Sequence, residues 1–62
     1  MKTEIKTHTV ETWYDRRSRL WITQLKDAEG NQIDGASFSG NKAGAEINHQ
    51  AKVALADVEA VK

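Results

Sequence analysis

The sequence predicts an α+β domain in which a three-stranded antiparallel sheet packs on one C-terminal helix, in the order β-β-β-α. Thr, Val, Trp, Tyr and Ile, which suit pleated strands, are concentrated in residues 1–38. Ala, Glu, Lys and Leu, which favour helices, dominate residues 43–62. The breaks between the apolar runs are short and polar, so consecutive strands are expected to be antiparallel neighbours.

The strands are predicted at about residues 7–14, 19–26 and 32–38. With residues 16 and 17 at the tip of the first hairpin, Val10 would face Thr23, and opposed residues share a face. One face of the predicted sheet then carries Val10, Thr12, Tyr14, Trp21, Thr23 and Leu25. The other face carries Thr9, Glu11, Trp13, Leu20, Ile22 and Gln24.

The second hairpin turn contains Gly30, which is free to take a positive φ. A three-residue loop there would place Ile33 opposite Leu25, on the first face. Strict alternation would then send Phe38 to the second face. A bulge near Gly35 would return it to the first, where it is predicted to meet the helix.

An apolar stripe at spacings of three and four residues predicts the helix face that packs on the sheet. Ser39 or Asn41 is expected to cap the N-terminus of this helix. The stripe comprises Ala43, Ile47, Ala51, Ala54, Leu55 and Val58. Its predicted partners in the sheet are Trp21, Leu25, Ile33 and Phe38.

One helix covers one face of a sheet, so Trp13, Leu20 and Ile22 are predicted to be exposed on the opposite face. Exposed apolar patches of this kind mark contacts with a partner. These residues form a candidate interaction surface for a homodimer or for a host protein. The N-terminal segment or a long basic side chain covering them is the alternative.

Composition and net charge limit the classes of protein to which this chain can belong. The chain has 62 residues, no cysteine and a formal net charge of zero, which indicates one domain over residues 1–62 with no disulfide and no Cys-based zinc site. Neutral charge argues against a globally basic nucleic-acid coat protein. Neither a signal peptide nor a membrane span is predicted, because no apolar run is long enough. We therefore expect a soluble, cytoplasmic protein.

Residue groups typical of catalysis are not recognisable. His8 and His49 fall in different predicted elements, and we expect both to be solvated rather than metal ligands. Acidic side chains near the second turn lack the calcium-loop pattern, and the glycines form no phosphate-binding motif. The sequence predicts no enzyme, no metal site and no cofactor.

Charge is distributed unevenly along the chain. Residues 1–26 hold six basic and three acidic side chains, and residues 27–62 hold three basic and six acidic ones. Arg16, Arg17 and Arg19 cluster at the first hairpin tip beside aromatic residues. Arginines fork onto phosphates or guanine edges, and aromatic rings stack on bases. A solvated turn with arginine stacked on Trp or Tyr is the alternative.

The sequence resembles the three-stranded arm-binding domain of tyrosine-type phage and transposon integrases. The matching residues, over about residues 13–60, are Trp21, Gly30, Phe38, Lys42 and Ala45. The resemblance implies a DNA partner and a phage or mobile-element origin, with the sheet entering the major groove. It implies DNA contacts from Arg16, Arg17, Arg19, Gln24 and Lys26. Fewer basic residues than is usual for that family occupy the strands here.

Residues 25–33, 38–39 and 42–46 also resemble the small YegP-type bacterial domain, whose function is not established and which tends to pair two units. That resemblance favours an open pairing surface at Trp13, Leu20 and Ile22. The leading hypothesis is a small non-enzymatic accessory protein that binds nucleic acid through the arginine-rich hairpin. The alternative hypothesis is a protein-interaction module that uses the exposed sheet face.

Overall fold

The computed structural model, which describes residues 1–61, is an α+β fold with an antiparallel sheet and one C-terminal helix, as predicted, but the sheet has four strands. The strands follow one another across the sheet in chain order, and the helix packs on one face. No helix within residues 1–61 is long and apolar enough to cross a bilayer. The elements are β1 (Lys2–Ile5), β2 (His8–Asp15), β3 (Leu20–Lys26), β4 (Gln32–Ser39) and α1 (Lys42–Ala60).

Strand β1 is the element that the prediction of three strands missed. It pairs with β2, with Thr3 opposite Val10 and Ile5 opposite His8. A strand of four residues with one strongly apolar side chain gives little periodic signal. The turn that follows it begins with Lys6 at φ 54°, a conformation that lysine rarely adopts and that gives no glycine or asparagine signature.

In the β2–β3 hairpin the residues lie on their predicted faces of the sheet, but the two strands pair in a different register. Val10 pairs with Leu25 and Tyr14 with Trp21, so the predicted pairing of Val10 with Thr23 is wrong. The loop spans residues 16–19 instead of two residues, and Arg19 closes it at φ 59°. Because a shift of two residues preserves the side-chain alternation, every residue stays on its predicted face.

Strand β4 pairs Ile33 with Leu25, as predicted, and then bulges before Ser37 pairs with Thr23. The bulge inserts two extra residues, and Asp34 adopts φ 59° within it. Two insertions preserve the alternation, so Phe38 pairs with Ile22 on the face away from the helix and is 58% exposed. The prediction that Phe38 packs against the helix is therefore wrong.

The predicted packing face of α1 is also wrong. Ile47 is 71% exposed, Val58 is 55% exposed, and of the predicted stripe Leu55 alone is half-buried. Alanines at two buried positions let the helix approach the sheet closely. The four residues buried against the sheet are Ala45, His49, Lys52 and Ala56.

Two polar side chains replace the expected apolar contacts under α1. His49 bonds to threonines of the sheet, and Lys52 donates to Asp34 Oδ2 at 2.6 Å and to Gly35 O at 2.7 Å. Buried polar groups are tolerated when they are hydrogen-bonded. The apolar core is correspondingly small: Val10, Leu25 and Ala56, with Ile5, Ile33, Val53 and Leu55 packed around them.

Asn41 caps the N-terminus of α1, which was one of the two predicted caps. Its side-chain oxygen accepts from Gly44 N at 2.7 Å. Ser39, the other candidate, donates from Oγ to Asn41 O at 2.9 Å and so holds the capping residue. The helix N-terminus is thereby fixed beside the end of β4.

Candidate nucleic-acid interface

The β2–β3 loop is organised by Asp15, which ends β2. Its carboxylate accepts from Ser18 N at 3.2 Å and from Ser18 Oγ at 2.6 Å, and Arg19 N donates to Asp15 O at 2.9 Å. The hydrogen bonds from Ser18 lower the pKa of the Asp15 carboxyl. The acidic side chain of the hairpin is therefore bonded to the turn itself.

The three predicted arginines, Arg16, Arg17 and Arg19, are all exposed in this loop. Ion pairs within residues 1–61 join Lys2 to Glu4 at 3.9 Å and Lys52 to Asp34, and none involves an arginine. The arginines therefore project from the hairpin without an ion-pair partner in the described part of the chain.

The start of α1 lies at the same end of the sheet. Trp21, at the start of β3, pairs with Ser39, and the helix begins three residues later at Lys42. The first helical turn contains no acidic residue, so the positive end of the helix dipole is also uncompensated. We call Arg16, Arg17, Arg19 and Lys42 the basic end. Lys42 lay outside the predicted site, because only the β3–β4 register places the start of α1 at the same end of the sheet as the hairpin.

On the sheet face away from α1, Trp13 pairs with Ile22 and Ile22 pairs with Phe38, so the three side chains form one row across β2, β3 and β4. We call them the outer row. Trp13 is 39% exposed, and Ile22 and Leu20 are half-buried. The structure thus places the predicted residues Trp13, Leu20 and Ile22 on one surface and adds Phe38 to it.

Gln24 and Lys26 share this outer face but lie away from the basic end. Gln24 pairs with Glu11, and Lys26 with Thr9. At about 3.3 Å per residue, they lie ~13 and ~20 Å along β3 from Leu20. The outer row separates these two side chains from the arginines, so the predicted five-residue contact set does not form one cluster.

On the helix side of the sheet, Tyr14 and Trp21 make an edge-to-face pair with ring centroids 5.4 Å apart. The pair lies across the base of the hairpin, since the two residues are opposite each other. Within residues 1–61 no arginine lies over an aromatic ring. The alternative in which the arginines stack on Trp or Tyr is not the arrangement of this structure.

His49 is buried, so the expectation that it is solvated is wrong. Thr3 Oγ1 lies 2.8 Å from its Nε2, and Thr12 Oγ1 lies 2.8 Å from its Nδ1 and 2.8 Å from Thr23 Oγ1. Burial lowers the pKa of His49, and the Met1 ammonium adds to this effect. The chain of bonds ties α1 to β1, β2 and β3, which is a structural role.

The described residues form neither a metal site nor a ligand pocket. Within the described residues, no group of three His, Cys, Asp or Glu side chains could hold a metal ion, and no pocket is found. His8, the second histidine, lies 3.1 Å from Thr7 Oγ1 through its Nδ1.

Comparison with known proteins identifies no relative, since no protein-family model, no curated protein and no solved structure matches the chain. The resemblances to the integrase arm-binding domain and to the YegP-type domain therefore stay predictions.

Proposed function

We propose that this chain is a small nucleic-acid-binding protein that contacts phosphates through its basic end. The observation that carries the proposal is the concentration of four basic side chains around a single carboxylate, with none of the four in an ion pair within the described residues. Arg16, Arg17, Arg19 and Lys42 lie in two adjacent segments whose acidic residue, Asp15, is bonded to Ser18. Basic side chains that meet phosphates release condensed counterions, which drives binding without any chemistry on the ligand.

Neutral net charge is compatible with this proposal because the charges are spatially separated. The molecule measures 34 × 20 × 17 Å, and the Debye length is about 8 Å at physiological ionic strength. Acidic residues of the second turn, Asp27 and Glu29, follow β3 at the opposite end of the sheet from the basic end. A phosphate at the basic end is therefore largely screened from them. The resemblance to integrase domains favours the same ligand class and an accessory role in a phage or mobile element.

A matched pair of double variants tests the proposal by fluorescence anisotropy with labelled oligonucleotides at several salt concentrations. Arg16→Gln/Arg17→Gln removes two charges from the basic end. Lys2→Gln/Lys6→Asn removes two charges elsewhere, with asparagine chosen because residue 6 has φ 54°. We expect the arginine variant to lose affinity at least tenfold and to show a shallower salt dependence, and the lysine variant to change by less than threefold. Equal losses, or no binding by the natural chain, would contradict the proposal.

A protein-interaction module is the second candidate, and the exposure of the outer row favours it. Trp13 and Phe38 flank Ile22 on a face that no element of residues 1–61 covers. Two such faces packed together would form a symmetric homodimer. Sedimentation equilibrium tests this candidate: a concentration-dependent dimer that Phe38→Ser abolishes would support it, and a monomer at millimolar concentration would exclude the homodimer.

A further inference from the structure

The strongest inference concerns the kind of nucleic acid, and it rests on the proposed function. We propose that the ligand is single-stranded, with unpaired bases stacked on Trp13 and Phe38 while its phosphates meet the basic end.

Trp13 and Phe38 lie in one row with Ile22 between them. Strands are about 4.8 Å apart, so the two rings are separated by ~10 Å. That distance is too long for one base to cover both rings. The side chain of Ile22 forms an apolar surface between them. Exposed aromatic side chains on an open sheet are the surfaces on which splayed-out bases of single strands stack.

Charge complementarity sets where the phosphates lie. Two residue pairs, Tyr14–Trp21 and Asp15–Leu20, lie between the outer row and the arginines of the loop, which is ~10 Å along the strands. On the far side of that row lie Glu11 and Gln24, which pair with each other. Glu11 lies opposite Lys2, whereas on the loop side three arginines outnumber the single carboxylate of Asp15. The excess of positive charge is therefore at the loop, and a bound strand is expected to keep its backbone toward the loop and its bases over the rings.

The exposed rings favour a single strand over a duplex. Strand β1 pairs with residues 8–11 of β2 and ends before the outer row, so this row crosses three strands. The bases of a duplex are stacked on one another and present only their edges in the grooves. Unpaired bases of a single strand can splay out and stack on Trp13 and Phe38.

The two tryptophans allow a direct test by NMR of the indole N–H groups. Trp13 is in the outer row, and Trp21 is on the helix side beside Tyr14, where it serves as an internal control. The probes are a single-stranded DNA of ten mixed nucleotides, an abasic strand of the same length and charge, and a duplex of the same sequence. We expect the single strand to shift Trp13 far more than Trp21 and to bind at least fivefold more tightly than either other probe.

Variants then assign the stacking residues. Trp13→Leu and Phe38→Leu keep apolar side chains but remove the ring, and each is expected to weaken single-strand binding by about 5- to 100-fold while leaving abasic binding unchanged. Ile47→Ala changes an exposed residue of α1, on the other side of the molecule, and is the matched control. Retained indole and amide dispersion checks that each variant is folded.

The outcomes separate the two proposals. Binding of the abasic strand and the duplex as tightly as the single strand would overturn the stacking inference and leave the basic end as the binding surface. Binding of none of the three probes would contradict the proposed function itself. Self-association that buries Trp13, removed by Trp13→Leu and unaffected by DNA, would overturn the inference in favour of a second copy of the chain.

Discussion

Lys52 of α1 donates to Asp34 of the β4 bulge at 2.6 Å, and this pair joins the helix to the sheet at the point where strand pairing is interrupted. The two partners differ in environment: the lysine side chain is 7% exposed and the aspartate side chain 58% exposed. Removing the aspartate leaves the buried ammonium of Lys52 without its carboxylate partner, whereas removing the lysine leaves a carboxylate that water can solvate.

The first prediction is that the two ends of this pair respond unequally to substitution. Asp34→Asn retains a residue suited to φ 59° but removes the charge that Lys52 faces, and should lower the free energy of unfolding by about 1–3 kcal/mol. Lys52→Met keeps the length of the buried stem and should cost less than about 1 kcal/mol. Urea denaturation followed by tryptophan fluorescence measures both, and a larger loss for Lys52→Met would contradict the assigned burial.

The second prediction distinguishes the observed helix face from the one that apolar spacing favours. Ile47→Ala should change the free energy of unfolding by no more than about 0.5 kcal/mol, because Ile47 is 71% exposed. Leu25→Ala, at a fully buried position, should cost about 2–5 kcal/mol. Thermal denaturation of both variants checks this. A large loss at Ile47 in a monomeric sample would mean that the apolar stripe packs on the sheet after all.

The helix illustrates how far the sequence could predict this molecule. Composition and turn signals located three strands and the helix, and alternation assigned the faces of β2 and β3 correctly. The buried face of α1 could not be read from hydrophobicity, because His49 and Lys52 are buried by partners that are distant in sequence. Thr3 is 46 residues from His49 and Asp34 is 18 residues from Lys52.

The candidate site, like the helix, was predicted from the sequence only in part. The hairpin arginines were identified from the local sequence pattern. The exposure of Trp13 was predicted because one helix covers only one face of the sheet. Phe38 and Lys42 joined the site only through the β3–β4 register, which depends on a bulge of two residues. A bulge of one residue would have turned Phe38 inward, and nothing in the residues around Gly35 specifies the number.

The third prediction concerns pH. Burial lowers the pKa of His49 in the folded state, so the unfolded chain binds the proton more tightly. Stability is therefore complete above the unfolded-state value of about 6.5 and is lost as the pH falls below it. His8, by contrast, is half-exposed.

Chemical denaturation between pH 7.5 and 4.5 measures this loss. We expect the natural chain and the control His8→Gln to lose stability in parallel, and His49→Gln, although less stable at pH 7.5, to show a flatter profile. The lowered pKa of Asp15 acts in the same direction but only near and below its ordinary value of 3.8, outside this range. A natural chain equally stable at pH 7.5 and 4.5 would show that His49 accepts a proton in the folded state without cost.

The fourth prediction uses Ser18, which lies between Arg17 and Arg19 and whose hydroxyl donates to Asp15. Ser18→Ala removes the 2.6 Å hydrogen bond to Asp15 and so raises the pKa of that carboxyl and frees one of its acceptor sites. An unbonded carboxylate beside Arg16 and Arg17 competes with phosphate, and oligonucleotide affinity should fall by about two- to fivefold at low salt. Asp15→Asn removes the competing charge and should raise affinity by a similar factor.

Fluorescence anisotropy measures both affinities. Ser37→Ala, on the helix side of the sheet, is the control and is expected to leave affinity unchanged. Parallel changes in both hairpin variants would indicate that loop conformation, rather than the charge of Asp15, controls access to the arginines.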